Sequence, residues 1–473
     1  MEINLLPKEI TLDIFSRLPA ESVLRCKRVC KTWQTTLNDT NYFADMHLRR
    51  QLLQLDDDDP KFHNHSDFVA GAKVGFISLI GIDLKSSSRK DVDDIGEVEE
   101  YAQLLCYGEY DENDEEEQSY KKLTLINHHP LGFNHDWVSS CNGLICLSVN
   151  HHDIFDPVYI CNPITRECTY LPIFTDFRGC KRSRGGSYYD FLPKNGCMVS
   201  GFGCNLSRNE YKVVRIYYGY YDDDDKMCPP KFGCVQVYTL GGRSGWRNKG
   251  EFPYLFQNKK HGVFANGALH WIDVNERKIV AFDLADEKFR VLPSPPPFLN
   301  NDKRNIFELN VLGGCLCIGQ HNIETECIYI WSFKKKKNSN CCDDHDSKVE
   351  EEEYKSWSWT KEFSINIVGE GQCSYEYRLF ALTEKGQVLL RYDRSILARY
   401  DRKTATLEKF VDYGEQGMFY QTITYMNSFV SLKSLGEDAK IIGSLEEEDS
   451  KCARIATVLG EEKNYEKNCS EED

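Results

Sequence analysis

Apolar residues near the N-terminus recur at helical spacing, whereas those beyond about residue 60 fall in short, strand-like runs. Ile10, Ile14 and Leu18 are four residues apart, which places them on one face of a helix together with Phe15. Pro7 suits the first turn of that helix, where its missing N–H costs nothing. The helix is predicted to end at Leu18, because the residue before a proline is driven out of the α region.

Three more helices are predicted before residue 54. The second is short and contains Val23 and Leu24, and the last runs from about Tyr42 to Leu53. The third is predicted to carry four residues on one stripe: Val29, Cys30, Trp33 and Leu37. Helices this short bury little apolar surface alone and usually need a metal, a disulfide or a partner. No metal-ligand spacing is present, so either a partner protein or packing against the rest of the chain is expected.

The remainder of the chain repeats one unit, in which a glycine turn leads into an apolar strand. The four turns are Asn142-Gly143, Asn266-Gly267, Gly313-Gly314 and Lys385-Gly386. Asn-Gly and Gly-Gly favour tight hairpins, since glycine adopts positive φ freely. In three units the returning strand ends in Asn162, Asp283 or Asp401, and these side chains are expected to cap the following turn. Such a recurring unit is typical of a β-propeller.

The helical segment resembles an F-box over about residues 3–47. The resemblance rests on the order and spacing of Leu6-Pro7, Ile10, Ile14-Phe15, Leu18-Pro19, Val23-Leu24 and Val29-Cys30-Lys31-x-Trp33. Members of that family bind a Skp-type adaptor and through it a cullin, forming an SCF (Skp–cullin–F-box) ubiquitin ligase. The resemblance implies that the adaptor contacts come from Leu6, Pro7, Ile10, Ile14, Leu18, Pro19, Val23, Leu24, Val29, Cys30 and Trp33. Some of these residues must also form the core of the helices.

The β region resembles the plant F-box-associated, kelch-like interaction domain over about residues 60–435. The segments that carry the resemblance are 140–144, 160–163, 201–203, 211–214, 235–238 and 282–284. The resemblance implies a domain that binds a target protein without identifying the residues that do so. Acidic inserts at 111–117, 222–225 and 350–353 depart from the pattern and leave the binding face open.

The predicted fold class is therefore α+β multidomain, with a small N-terminal three-helix F-box followed by a mainly-β, kelch-like propeller. About 50 residues per kelch-like blade allows six or seven blades. The predicted ranges are 1–47 for the F-box, 48–60 for a linker, 61–435 for the propeller with a polar insertion at 334–355, and 436–473 for an acidic disordered tail.

Composition narrows the classes of partner. The 473-residue chain has a formal net charge of -16, which argues against broad nucleic-acid binding. Residues 1–4 lack a basic and apolar leader pattern, and no run approaches the ~18 apolar residues of a membrane span. The 20 cysteines contain no C-x-x-C pair, so neither a metal nor a cofactor is expected. A cytoplasmic or nuclear location, or both, is expected.

The chain shows no convincing catalytic constellation. The phosphate-binding glycine motifs and the H-E-x-x-H zinc motif do not occur in the sequence. The favoured hypothesis is a non-catalytic subunit that recruits a target protein to an SCF ubiquitin ligase. One alternative is an interaction module with the same domains and no role in degradation. The other is a propeller enzyme, which would need metal ligands or paired carboxylates near the central channel.

Overall fold

The computed structural model describes most of the predicted helices and strands. The described residues are 6–38, 40–53, 73–83, 101–113, 120–125, 135–151, 154–174, 196–219, 221–223, 226–228, 232–257, 260–299, 305–322, 324–336, 356–366, 377–414 and 417–441. The predicted linker, the polar insertion and the acidic tail fall largely outside these residues. Among the described helices, none is both long and apolar enough to cross a membrane.

The N-terminal module contains the helices α1 to α4, which span Lys8–Ser16, Ala20–Cys26, Lys31–Asn38 and Thr40–Leu53. Pro7 and Pro19 directly precede α1 and α2 with extended backbone. The placement of Val29 and Cys30 on the third helix was wrong, because a hydrogen-bonded turn separates α2 from α3. Val29 N–H donates to the carbonyl of Cys26 in that turn. Cys30 Sγ then accepts the N–H of Trp33, which lies in the first turn of α3.

The core of these helices includes one residue from the far end of the chain. Its buried members are Leu12, Phe15, Ala20, Val23, Leu37, Phe43, Ala44 and Phe429. Phe429 follows the last long strand of the β region, so the helical module is packed directly on that region. Packing against the β body was one of the two interpretations of so small a module, and the structure shows it.

The β region contains the strands β1 to β27 among the described residues. In chain order, β1 to β9 span Lys73–Asp83, Tyr101–Asp111, Tyr120–Leu125, His135–Cys141, Leu144–His151, Ile154–Asn162, Glu167–Tyr170, Gly196–Asn205 and Glu210–Gly219. Strands β10 to β18 span Tyr221–Asp223, Lys226–Cys228, Gly233–Thr239, Arg247–Phe252, Val263–Ala265, Ala268–Ile272, Ile279–Asp283, Phe289–Val291 and Asn305–Leu312. Strands β19 to β27 span Cys315–Asn322, Cys327–Lys335, Trp357–Asn366, Arg378–Leu382, Val388–Tyr392, Ile396–Asp401, Thr406–Asp412, Gly417–Thr424 and Lys440–Ile441. A short helix α5, Pro296–Leu299, precedes β18.

Four of the sheets are separate four-stranded blades, ordered β26-β1-β2-β3, β14-β15-β16-β17, β18-β19-β20-β21 and β22-β23-β24-β25. This number is smaller than the predicted six or seven. The difference arises because the meanders β4-β5-β6-β7 and β8-β9-β12-β13 belong to one nine-stranded sheet. A parallel bridge between Ile154 and Met198 joins them. The architecture is a mainly-β propeller, as predicted.

The predicted glycine turns are confirmed as hairpins. Asn142 and Gly143 have φ of 50° and 80° between β4 and β5, and Asn266-Gly267 connects β14 to β15 in the same way. The predicted capping is confirmed as well. Asn162 Oδ1 accepts the N–H of Ile164 at 2.9 Å, and the carboxylates of Asp283 and Asp401 accept N–H groups in their own turns.

The inner strands of the sheets contact one another in a closed ring, in the order β26, β4, β8, β14, β18 and β22. Strand β26 comes from the C-terminal part of the chain, yet it pairs with β1 from Phe76–Thr424 to Ile82–Gly417. Strand β27 pairs with β7, and Glu437 accepts the N–H of Gly241 at 2.7 Å. Residues 436–441 are therefore part of the body, although they were expected in the tail.

Candidate functional site

Helix α1 presents two large apolar side chains to solvent. Ile10 is 48% exposed and Ile14, one turn later, is 43% exposed. Pro7 and Pro19 are also exposed, and Val29 is 65% exposed in the turn before α3. Clustered exposed apolar side chains mark a surface that binds another molecule more often than isolated ones do. Five of the eleven residues predicted to contact an adaptor are thus accessible.

The other six predicted residues are partly or fully buried. Val23 is completely buried in the core of the module, so its role in this structure is to hold the helices together. The half-buried ones are Leu6, Leu18, Leu24, Cys30 and Trp33. Trp33 packs edge-on against Phe15, with ring centroids 4.9 Å apart. The structure thus separates core residues from accessible ones, which the sequence alone did not do.

A charged cluster beside the exposed isoleucines holds α1 in place. Asp13 accepts hydrogen bonds at 2.9 and 3.2 Å from Arg17, the residue directly after α1. It also accepts one from Arg50, which lies on α4. Because both arginines lie on elements of the module, the carboxylate ties α1 to α4 and fixes the direction in which Ile10 and Ile14 project.

The segment around Phe429 fastens the module to the propeller. The Phe429 ring lies 5.0 Å from His47 and 5.7 Å from Phe43, measured between ring centroids, and Lys27 Nζ sits 4.8 Å above it. His47 is buried, and this burial lowers the pKa of its imidazole. The neutral ring suits a site among aromatic side chains, where a charge would be poorly solvated.

Polar contacts lock the same segment onto the β4–β5 hairpin and the end of β6. Ser428 Oγ donates to the carbonyl of Asn142. Asn162 Nδ2 donates to the carbonyls of Ser428 and Val430 at 3.1 and 2.7 Å. Both asparagines belong to turns that were recognised in the sequence, but nothing local in the sequence signals that they hold a segment more than 260 residues away.

A cavity of about 790 Å³ lies within the ring of inner strands. Its lining includes Lys260, Glu308, Arg378, Arg391 and Arg394. Lys260 Nζ lies 3.0 Å from one Glu308 oxygen, and Arg378 Nη1 lies 2.7 Å from the other. Sequence reasoning missed these residues because they are spread over more than 130 positions and match no motif. Only ring closure brings them together.

The described part of the lining contains one carboxylate, Glu308, and so does not form the carboxylate pair on which glycosidases depend. The described chain likewise contains no group of three or more His, Cys, Asp or Glu residues arranged to hold a metal ion. Within the described residues, the features required for the propeller-enzyme alternative are therefore not assembled.

Comparison with protein-family models gives two matches on this chain. A model described as F-box-like matches residues 3–49, which contain α1 to α3 and most of α4. A model described as the F-box associated beta propeller domain matches residues 100–371, which is more than half of the chain. Kelch repeats are named in neither match, so the kelch type of the propeller stays a prediction.

Curated relatives from Arabidopsis thaliana match along most of the chain. F-box protein At3g07870 is 26% identical over 454 residues, covering 88% of this chain and 90% of the relative. F-box protein CPR1 is 25% identical over 430 residues, covering 85% and 84%. Among solved structures, a chain of a nidogen/laminin complex matches 74% of this chain and 99% of its own length, with a TM-score of 0.34 and 11% identity.

Proposed function

Because the chain belongs to the F-box proteins that carry an F-box associated β-propeller domain, we propose that it is the substrate-recognition subunit of an SCF ubiquitin ligase. In this proposal the helical module binds a Skp-type adaptor and through it a cullin, and the propeller binds a target protein in the cytoplasm or nucleus. The chain supplies proximity, and the transfer of ubiquitin belongs to its partners. A tethered target meets the ubiquitin carrier at a much higher effective concentration.

The observation that carries the proposal is the exposed apolar pair on α1. Ile10 and Ile14 lie one helical turn apart and are both more than 40% exposed, while the core below them is filled by Leu12 and Phe15. Within the part of the chain that the structure describes, these two side chains are therefore not used to fill the core. An apolar stripe on a helix is a common anchor for a protein groove.

The packing of Phe429 supports the same proposal. A receptor that presents a target to a separate enzyme works best when its two binding surfaces keep a defined relation. The contacts of Phe429 with Phe43, His47 and Lys27 restrict the motion of the helices on the propeller. The target would then be held in a defined direction from the adaptor.

The test compares adaptor binding by wild type and by an Ile10→Asp/Ile14→Asp variant, measured by calorimetry with a purified Skp-type adaptor. We expect the dissociation constant to rise at least 100-fold, because removing a hot-spot side chain at the centre of an interface costs about 2 kcal/mol or more. The matched control is Val291→Asp/Leu407→Asp, which places the same charges at exposed apolar positions on the propeller. This control should bind like wild type. Equal affinity for all three proteins would refute the proposal.

A cullin-binding experiment distinguishes an SCF subunit from an interaction module that has no role in degradation. The wild-type chain, bound to its adaptor, is mixed with a purified cullin and passed through a size-exclusion column. Co-elution of all three components supports an SCF subunit. A stable complex of the chain and the adaptor that excludes the cullin would instead favour the module without degradation.

A further inference from the structure

The cavity in the propeller has a charge opposite to that of the whole chain. Its described lining contains four cationic side chains, Lys260, Arg378, Arg391 and Arg394, and one carboxylate, Glu308. The chain itself carries a formal net charge of -16. Cations gathered at a concave, low-dielectric surface focus a positive potential there and attract negative groups from solution.

These side chains gather at the end of the ring where the inner strands begin. Arg378 is the first residue of β22 and Glu308 is the fourth of β18, while Lys260 precedes β14. Arg391 is the cross-strand partner of Arg378. Arg394 lies in the turn after β23, where its carbonyl accepts the N–H of Phe419 near the start of β26. We call this end the cationic mouth.

The cationic mouth and the helical module lie at opposite ends of the ring. The inner strand β4 ends at the Asn142-Gly143 turn, and Ser428 Oγ donates to the carbonyl of Asn142. Phe429, the next residue, is packed among the helices. A molecule bound at the cationic mouth would therefore face away from α1, so it would not compete with an adaptor on Ile10 and Ile14.

The geometry at the mouth suits carboxylate groups. Each oxygen of Glu308 already has a cation near it, Lys260 on one and Arg378 on the other. Arg391 donates to the carbonyls of Phe419 and Tyr420 and is held against β26. The guanidinium of Arg378 is partly exposed and is held in place by Glu308, and a planar guanidinium matches the two oxygens of a carboxylate.

Two exposed apolar side chains lie beside the charges. Ile306, two residues before Glu308 and therefore on the same face of β18, is 53% exposed, and the lining residue Tyr420 is 38% exposed. A free small acid would use only the cations. A peptide with carboxylates beside apolar residues would use both, as protein interfaces combine apolar anchors with a polar rim.

We propose that the cationic mouth binds an acidic segment of the target protein, with Asp or Glu carboxylates at Lys260, Arg378 and Arg394 and apolar residues against Ile306 and Tyr420. The inference rests on the proposed function, because it names the class of target that the receptor recruits. It adds a binding surface and a chemical preference to that function.

The test uses a displayed library of random 12-residue peptides, selected against the full chain bound to its Skp-type adaptor. Peptides selected on wild type should contain more Asp and Glu than the unselected library. The variant is Lys260→Glu/Arg394→Glu, and the control is Arg208→Glu/Lys403→Glu, two exposed cations at the opposite end of the inner strands. Selected peptides should lose at least tenfold in affinity for the variant and keep their affinity for the control. Thermal unfolding and adaptor binding are measured on every protein.

Three results would overturn the inference. One is that the selected peptides show no acidic excess. Another is that they bind the folded Lys260→Glu/Arg394→Glu variant as tightly as wild type. The third is that the library yields no binder; succinate that then binds wild type and not the variant would mark a site for a small free acid. In each case intact adaptor binding would leave the proposed function standing, whereas loss of adaptor binding in wild type would refute that function instead.

Discussion

At the scale of the residue, α1 shows that helical spacing can find the apolar positions of a helix without saying which way they face. Ile10 and Ile14 are four residues apart, and Leu12 and Phe15 are three apart, so each pair is consistent with one helical face. The predicted apolar face combined Ile10, Ile14 and Leu18 with Phe15, without separating core residues from contact residues. In the structure Leu12 and Phe15 are buried, and the isoleucines are exposed.

Another residue with an unforeseen environment is His270 on β15, in the lining of the cavity. It is 2% exposed, and its Nδ1 lies 3.2 Å from the carbonyl oxygen of Val263. Burial lowers the pKa of this imidazole to about 4, because the charged form would be poorly solvated. In the unfolded chain the imidazole of His270 has an ordinary pKa near 6.5. As the pH falls, it therefore binds a proton at a higher pH in the unfolded chain than in the folded chain.

We expect this histidine to make the fold less stable in acid. The stability that depends on a neutral His270 is fully present above about pH 6.5 and is lost as the pH falls toward 4. The free energy of unfolding should therefore decrease by about 2 kcal/mol between pH 7.5 and pH 5. The check is urea unfolding across that range for wild type and His270→Gln. The substitution should flatten the pH dependence by that amount. Identical pH profiles would contradict the pKa assignment.

At the scale of the element, two hairpins with the same turn sequence have different surroundings. Gly143 has φ of 80°, and a Cβ built on it would lie 2.3 Å from Ser428 Oγ and 2.9 Å from the Ser428 main-chain nitrogen. Gly267 has φ of 75°, and nothing would lie within 4 Å of its Cβ. Both glycines relieve backbone strain, but only Gly143 also makes room for another segment.

The comparison of Gly143→Ala with Gly267→Ala separates these two roles. Gly267→Ala should lower the free energy of unfolding by about 1–2 kcal/mol, the usual cost of a left-handed backbone for a residue with a side chain. Gly143→Ala should cost at least about 1 kcal/mol more, because the Ser428 segment must move. Denaturant unfolding of both variants is the measurement. Equal losses would show that the close approach of Ser428 contributes nothing.

At the scale of the whole molecule, the C-terminal part of the described chain closes the ring and anchors the helices. Strand β26 pairs with β1, and Ser78 Oγ lies 2.9 Å from Thr422 Oγ1 across this pairing. Phe429 follows within a few residues and joins the core of the helical module. The helical module and the propeller should therefore fold cooperatively, because one segment packs in both.

An engineered disulfide between β1 and β26 tests whether closure of the ring controls this cooperative unfolding. The double variant Ser78→Cys/Thr422→Cys, once oxidised, should raise the free energy of unfolding by about 2–4 kcal/mol, since it constrains a very long loop in the unfolded chain. The gain should disappear on reduction. Each single variant and wild type, oxidised in the same way, control for the native cysteines. A stability unchanged by oxidation, with the link verified by mass spectrometry, would show that the β1–β26 closure does not limit unfolding.

Whether a feature could be predicted from the sequence depends on whether its contacts are local or distant in the chain. The sequence by itself determined the helical module, the glycine hairpins, the Asn and Asp turn caps and the propeller class, because each depends on contacts within a few residues. Only the tertiary structure decided the number of separate sheets, the split between buried Val23 and exposed Ile10, the anchoring by Phe429 and the gathering of Lys260, Glu308 and Arg378. These features depend on contacts between residues that are not neighbours in the chain, and such contacts leave no local pattern of apolar and polar residues.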